Sequence, residues 1–280
     1  MNIQITNRMT LLAGAIIALG ALSMNVANAG ISVTKHNLGS TGTGTNTFDG
    51  TQAICVFCHT PHGADNSASV PLWNRVLSSS SSYTTYDSLG TTSLDGAIAP
   101  VGSVSIACLS CHDGTQAMNV MINAPGSGGY DPAGSALAGT WTGPAGTASP
   151  VGSLNYATAS IVNIGTDLSN DHPVGIQYGG GGATSADADG AFGGTLADPD
   201  FIAPYKATIN TKAVWWVDTA SGTDGIREKT DMQLYTRADL GATEPFVECA
   251  SCHNPHTSDN PTFLRIANTG SAVCLACHTK

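Results

Sequence analysis

The 280-residue chain has few charged side chains, since only 11% of its residues are Asp, Glu, Lys or Arg. Acidic residues outnumber basic ones by 20 to 10, which gives a formal net charge of −10. The Lys and Arg residues are scattered, whereas nucleic-acid-binding proteins cluster them on one face. The sequence therefore argues against nucleic acid as a partner and favours cations or basic proteins.

Long apolar segments are also scarce. One of them, residues 11–22, follows Arg8 and precedes Ala27-Asn28-Ala29. A positive residue, a short apolar run and an A-x-A site are typical of a secretory signal peptide. The run is shorter than the roughly 20 residues that cross a bilayer, so an uncleaved membrane anchor is the weaker alternative. We predict a signal peptide over residues 1–29, export, and no transmembrane segment in the mature chain.

No cysteine lies outside one pattern, Cys-x-x-Cys-His, which occurs four times. This pattern is the attachment site of a c-type haem, because two thiols join the porphyrin and one helical turn brings the histidine to the iron. Four disulfides, or zinc held by Cys-x-x-Cys pairs, are the alternatives. Neither alternative requires a histidine after every second cysteine. We predict four covalently bound haem c groups, attached at Cys55, Cys58 and His59; Cys108, Cys111 and His112; Cys249, Cys252 and His253; and Cys274, Cys277 and His278.

The chain also has no spare histidine. Of its eight histidines, four belong to the attachment motifs, and the others are His36, His62, His172 and His256. Four six-coordinate irons need four such distal ligands, so we predict that all eight histidines bind iron. Met118 and Met121 are alternative distal ligands, although methionines near a haem more often pack against it.

The order of these residues repeats along the chain. A free histidine, a Cys-x-x-Cys-His-x-Pro-His segment and a plain Cys-x-x-Cys-His motif occur in the first half and again in the second. Pro71-Leu72-Trp73-Asn74-Arg75 also resembles Pro261-Thr262-Phe263-Leu264-Arg265. We interpret this as a duplicated two-haem module, with one copy over residues 30–120 and the other over 121–280. The second copy contains a Gly/Ser-rich insert over residues 121–248.

Spacing limits what the distal histidines can bind. His62 lies three residues after His59, and Pro61 between them stiffens the chain. His62 therefore cannot bind the iron that His59 holds and must reach a neighbouring haem, as must His256 relative to His253. His36 would be the seventh residue after cleavage. It either binds a haem of its own subunit or reaches the next copy, which would generate an open filament unless the rotation closed.

The insert contains two local patterns. Aspartates beside glycines suggest a calcium loop, but Ser185 and Leu196 stand where an EF-hand needs its first and last ligands, so we predict a solvated loop. Residues 207–218, rich in Val and Trp, predict a strand pair or one irregular strand. The predicted fold is mostly irregular, with short helices at the haem motifs, a few β-strands and haem groups as its core.

Four segments carry a resemblance to a known family: Cys58-His59-Thr60-Pro61-His62-Gly63, Pro71-Leu72-Trp73-Asn74, Asn170-Asp171-His172-Pro173-Val174-Gly175, and Val247 through His256. They resemble the multihaem c-type cytochromes of metal-reducing bacteria, and especially the extracellular tetrahaem, OmcE-like cytochromes that polymerise into nanowires. The resemblance implies bis-histidine haems stacked in a continuous chain, with ligation across the subunit boundary.

The sequence favours an electron-transfer protein over an enzyme, because an iron with two histidine ligands has no open position for a substrate. Other redox cytochromes or extracellular electron acceptors are the expected partners, together with further copies of the chain. The expected location is the cell exterior, with the periplasm as the alternative. A monomeric periplasmic shuttle, a multihaem redox enzyme and a purely structural filament are the other functions considered.

Overall fold

The computed structural model describes residues 30–126, 129–156, 161–219 and 224–280. The predicted signal peptide lies outside these ranges. Much of the described chain is turn and irregular structure, and none of its helices is long and apolar enough to span a bilayer. The α-helices are α1 (Ser103–His112), α2 (Cys249–Cys252) and α3 (Ala272–Leu275). Short 3-10 helices occur at Gly30–Val33, Cys55–Phe57, Ser80–Ser82, Tyr86–Leu89, Pro144–Thr147, Tyr178–Gly180, Ala238–Leu240, Pro261–Phe263 and Thr269–Ser271.

Ten short strands form three antiparallel sheets within the described ranges. The strand bounds are β1 Thr47–Phe48, β2 Val120–Met121, β3 Ser135–Ala136, β4 Trp141–Thr142, β5 Ile176–Gln177, β6 Gly190–Ala191, β7 Tyr205–Ile209, β8 Lys212–Val217, β9 Met232–Thr236 and β10 Pro245–Val247. The largest sheet has the order β5–β10–β9–β8–β7–β6, and two-stranded sheets are formed by β1 with β4 and by β2 with β3.

Strands β7 and β8 form a hairpin in the segment 207–218, for which the sequence predicted a strand pair or one irregular strand. Asn210 and Thr211 make the two-residue turn, and both have positive φ, at 48° and 64°. Two positive φ values are typical of a type I′ turn, whose twist matches that of the strands. Trp215 is fully buried in the sheet, and Trp216 stacks on Tyr205 across the hairpin, with ring centres 5.8 Å apart.

Within the described part of the chain, three apolar clusters of its own side chains lie beside the cysteine motifs. The sheet cluster surrounds Trp215 and is bordered by Cys252 and Cys277. The Trp141 cluster is bordered by Cys58 and Cys111, and a third cluster surrounds Trp73. The polypeptide therefore builds more apolar core than its scarcity of long apolar segments suggested, because the core is assembled from single residues of many loops.

Packing crosses the boundary between residues 120 and 121 that divides the two sequence modules. Strand β4 pairs with β1, so that Trp141 lies opposite Phe48. Met121 and Leu154 join these two aromatic residues in the Trp141 cluster. The first part of the insert thus packs on the first module, and the later part forms the sheet beside the third and fourth motifs.

Candidate haem-binding sites

The first and third motifs have the same local fold. The His59 backbone N–H donates to the Cys55 carbonyl over 2.8 Å, and that of His253 donates to Cys249 over 3.2 Å. These bonds close one helical turn, which brings the histidine back beside the cysteines. After each motif the chain returns antiparallel to it, through isolated bridges between His59 and Trp73 and between His253 and Leu264.

The returning segment orients each proximal ring. His59 Nδ1 lies 2.8 Å from the Pro71 carbonyl oxygen, and His253 Nδ1 lies 2.8 Å from that of Thr262. A carbonyl can only accept, so Nδ1 carries the proton and the Nε2 lone pair is left free for a metal. The sequence repeat between 71–75 and 261–265 is therefore also a structural repeat.

The structural correspondence between residues 71–75 and 261–265 is shifted by one residue from the correspondence that their sequences indicate. Asn74 N–H donates to the Cys58 carbonyl, and Arg265 N–H donates to the Cys252 carbonyl, each over 2.9 Å. Asn74 is thus the structural counterpart of Arg265, whereas side-chain similarity aligns Arg75 with it. The connection between the proximal histidine and the residue that accepts from it is three residues shorter in the second copy.

The second and fourth motifs lie on α1 and at the end of α3. His112 closes α1, and its Nδ1 lies 2.8 Å from the Val162 carbonyl oxygen, which again leaves Nε2 free. The His278 N–H donates to the Cys274 carbonyl over 2.9 Å. The His278 ring contacts Phe201, with ring centres 4.3 Å apart.

Two of the predicted distal histidines lie opposite proximal ones. The ring centres of His36 and His112 are 6.2 Å apart with planes at 80°, and those of His59 and His256 are 6.3 Å apart with planes at 15°. The pKa of His36 is lowered to about 4, chiefly by burial and in part by the nearby His112. A neutral ring is the form that binds a metal.

The other two distal candidates are less closely paired. Burial lowers the pKa of His172, and the charge of His278 lowers it as well, so these two rings lie near each other. His62 is exposed, and its ring makes no hydrogen bond or ring contact with the rest of the described chain.

The thiols of successive motifs lie close enough to influence one another. Burial raises the pKa of Cys58 to about 12, with Cys111 adding to the effect. Cys108 donates to Cys249, which raises the pKa of Cys108 and lowers that of Cys249. Burial also raises the pKa of Cys277 to about 12, with Cys252 contributing. The four motifs therefore form an uninterrupted series in the order in which they occur along the chain.

All eight cysteines lie in the described ranges and are free thiols there. In the described ranges, no group of three or more His, Cys, Asp or Glu side chains is arranged to hold a metal ion such as zinc by itself.

Helices α1 and α2 are joined by a buried hydrogen-bond network. Ser105 of α1 donates its hydroxyl to Glu248 and accepts from the Cys249 N–H over 2.9 Å. Glu248 and Ser251 cap α2 reciprocally. Arg237 approaches Glu248 only to 3.5 Å, whereas it lies 2.8 Å from Asp239. Burial dominates and raises the pKa of Glu248 to about 8.

Arg75 is a fully buried cation between the first two motifs. Its guanidinium donates to the Ser110 hydroxyl and to backbone carbonyls of residues 110, 117, 118 and 120, at 2.8 to 3.2 Å. In the described part of the chain it makes no ion pair with a carboxylate, so its charge is balanced by carbonyl dipoles alone. The sequence pattern singled out Arg75 only as a repeated residue and gave no indication of this role.

The methionines considered as alternative distal ligands, and an aspartate of the candidate calcium loop, have other roles in the structure. Met118 and Met121 are buried in the Trp141 cluster, with 3% and 0% of their surfaces exposed. Asp189, in the candidate calcium loop, binds the buried Lys206 ammonium over 2.7 Å and accepts from Thr208. The Asp189 carboxylate is therefore engaged in an ion pair with Lys206.

The residues around the motifs fit a haem group. The indole N–H groups of Trp73, Trp215 and Trp216 are buried without an acceptor in the described residues, and haem carries two carboxylates that accept hydrogen bonds. The Trp73 ring lies edge-on to His59 with centres 6.0 Å apart. A cavity of about 270 Å³ also opens beside His59, lined by Val56, Thr60, Pro61, Asn123 and Ala124 among others.

Helical turns that present paired thiols and an oriented imidazole are the arrangement that attachment of a c-type haem requires. Residues 244–280, which hold the third and fourth motifs, match the family described as "Doubled CXXCH motif". This match indicates a multihaem c-type cytochrome with covalently bound haem c, and electron transfer as its class of function. No curated protein matches the chain.

Proposed function

We propose that the chain carries four haem c groups, each held between two histidines, and that it transfers electrons along them as an extracellular, polymerised filament. The observation that carries this proposal is the uninterrupted series of motifs. Cys58 and Cys111 border one apolar cluster, the Cys249 N–H donates to Ser105 of α1, and Cys252 and Cys277 border the sheet cluster. Eight histidines supply the eight axial positions, and they are His59, His112, His253, His278, His36, His62, His172 and His256.

When bound, haem c supplies a one-electron iron couple. The chain's residues fix the position of the iron and keep its ligands the same when an electron is gained or lost. The carbonyls of Pro71, Val162 and Thr262 hold three proximal rings in one tautomer and one orientation. Histidine on both sides leaves no open position, so an electron is gained or lost without exchange of a ligand.

The filament part of the proposal rests on the resemblance to polymerising tetrahaem cytochromes and on the low charge of the chain. A surface of small polar residues with 11% charged residues loses little hydration energy when it is buried against further copies. Export by the predicted signal peptide would bring the chain to the compartment where filaments form. A monomeric shuttle in the periplasm is the alternative.

The haem content is tested on the natively exported protein by intact mass and by absorption spectroscopy. We expect four covalently bound haems, all low-spin. The Cys58→Ala, Cys111→Ala, Cys252→Ala and Cys277→Ala variants should each weaken attachment at one site, and Leu275→Ala, at an exposed position within the fourth motif, provides a control. Fewer than four haems in the unaltered protein would contradict the proposal, and a high-spin component would contradict it in favour of a redox enzyme.

Polymerisation is tested separately by negative-stain electron microscopy and sedimentation of the same preparation. Uniform filaments together with four low-spin haems are expected. Monomers at every concentration, with the same spectrum, would leave electron transfer in place and assign the chain to a soluble shuttle.

A further inference from the structure

The separation of two facing imidazole rings indicates whether one iron fits between them. A metal–nitrogen bond of about 2 Å on each side, plus about 1.1 Å from each nitrogen to its ring centre, separates the centres by about 6 Å. His59 and His256 are 6.3 Å apart, and His36 and His112 are 6.2 Å apart. Both pairs therefore have the spacing of two axial ligands on one iron.

The first pair joins the two halves of the chain. His59 is the histidine of the first motif, and its Nδ1 is engaged by Pro71, so Nε2 is the nitrogen available to iron. His256 belongs to the second Cys-x-x-Cys-His-x-Pro-His segment, three residues after His253. Because His256 cannot bind the iron that His253 holds, the first-motif iron is the position that its ring faces.

The second pair lies within a single subunit. His112 uses Nδ1 for the Val162 carbonyl, and His36 Nδ1 lies 3.2 Å from the Pro255 carbonyl oxygen. The His36 ring also stacks on Phe263, with centres 4.4 Å apart and planes at 19°. In both rings Nδ1 faces a backbone carbonyl oxygen, so Nε2 is the nitrogen left for the iron.

The N-terminal arm is packed against the segment that provides these contacts. A Cβ added at Gly30 would come within 2.8 Å of the His256 carbonyl oxygen, so the arm approaches this backbone as closely as a glycine permits. The segment 254–257 thus supplies one distal histidine and positions another through Pro255.

Resting on the proposed four-haem function, we propose that His256 is the distal ligand of the haem attached at Cys55 and Cys58, and that His36 of the same subunit is the distal ligand of the haem attached at Cys108 and Cys111. The first-motif iron then takes its distal ligand from the second half of the chain, whereas the second half only positions the two ligands of the second-motif iron, through the Pro255 and Val162 carbonyls. Ligation by His36 across the subunit boundary, the other outcome that the sequence left open, is replaced by ligation in cis.

The relative orientation of the ring planes provides the test, because it sets the splitting of the iron d orbitals. Near-parallel planes give a rhombic low-spin EPR signal, and near-perpendicular planes give a highly anisotropic one. In the full-length, exported protein, His256→Ala should remove one rhombic signal of four low-spin haems. His36→Ala should remove one highly anisotropic signal, and it should do so in dilute monomer as well as in assembled protein.

Matched controls separate ligand loss from misfolding. Lys35→Ala and Ser258→Ala alter exposed neighbours of the two histidines and should retain all four signals. Added imidazole should restore the low-spin signal of His256→Ala, and His256→Met should stay low-spin but raise one reduction potential. Intact mass must still show four haems in every variant.

Two results would overturn the assignment while leaving the proposed function intact. One is a His256→Ala protein that keeps four low-spin haems. The other is a His36→Ala protein that loses its signal only when assembled. An unaltered protein without four low-spin haems would instead contradict the proposed function itself.

Discussion

Glu248 is a carboxyl group buried between two attachment helices, and its protonation links stability to pH. Its pKa rises from 4.5 to about 8 on folding because burial disfavours the charged form. Below pH 4.5 the group is protonated in both states, and its contribution to stability is fully present. As pH rises towards 8, only the unfolded chain loses the proton, so the free energy of unfolding declines.

Glu248→Gln should therefore remove this pH dependence. The amide keeps a neutral hydrogen-bonding group at the same place, and each unit of pKa shift corresponds to about 1.4 kcal/mol. Denaturant unfolding of the two proteins between pH 5 and pH 8.5 measures the slope. Glu244→Gln, at a partly exposed carboxyl in the same segment, should leave the slope unchanged. Equal slopes in wild type and Glu248→Gln would contradict the assignment.

Ser105 connects helix α1 to helix α2, because its hydroxyl donates to Glu248 and accepts from the Cys249 N–H. Ser105→Ala leaves both buried groups without this partner and should destabilise the protein by about 1–3 kcal/mol. Chemical denaturation measures the loss, and Ser80→Ala in an exposed 3-10 helix should cost far less. A stable Ser105→Ala protein would show that the two helices are held by packing alone.

A substitution in the turn between β7 and β8 should raise the free energy of unfolding. Thr211 adopts φ of 64°, a left-handed conformation that is unfavourable for a β-branched residue. Thr211→Gly produces the Asn-Gly pair that type I′ turns prefer and should stabilise the protein by about 0.5–1 kcal/mol. Ala213→Gly, within strand β8, should have the opposite sign. Thermal unfolding distinguishes the two variants.

The sequence predicted those elements whose pattern of residues lies within one short segment of the chain. Each Cys-x-x-Cys-His motif contains its own helical turn, and the Val and Trp residues of 207–218 indicated the hairpin directly. The acceptors of the proximal histidines had no such signal, because Pro71 and Val162 contribute backbone carbonyls, which every residue carries. The distance between His59 and His256 depends on the packing of both halves and could not be predicted from spacing.

At the scale of the whole molecule, the net charge of −10 should govern encounters with redox partners. Reduction by a cationic small-molecule reductant should slow as ionic strength rises from about 0.01 to 0.3 M, because salt screens the attraction. Reduction by an anionic reductant should accelerate over the same range. Stopped-flow absorption measures both rates, with a net-neutral reductant as the control. A common salt dependence for all three would show that the entry point for electrons is not acidic.

Arg75 has a consequence for where an electron resides. Its charge is buried beside Cys58 and Ser110 and is balanced by carbonyl dipoles alone in the described chain. A fixed positive charge in a medium of low dielectric stabilises added negative charge nearby. The buried charge of Arg75 would therefore favour an added electron on a group held at the first two motifs.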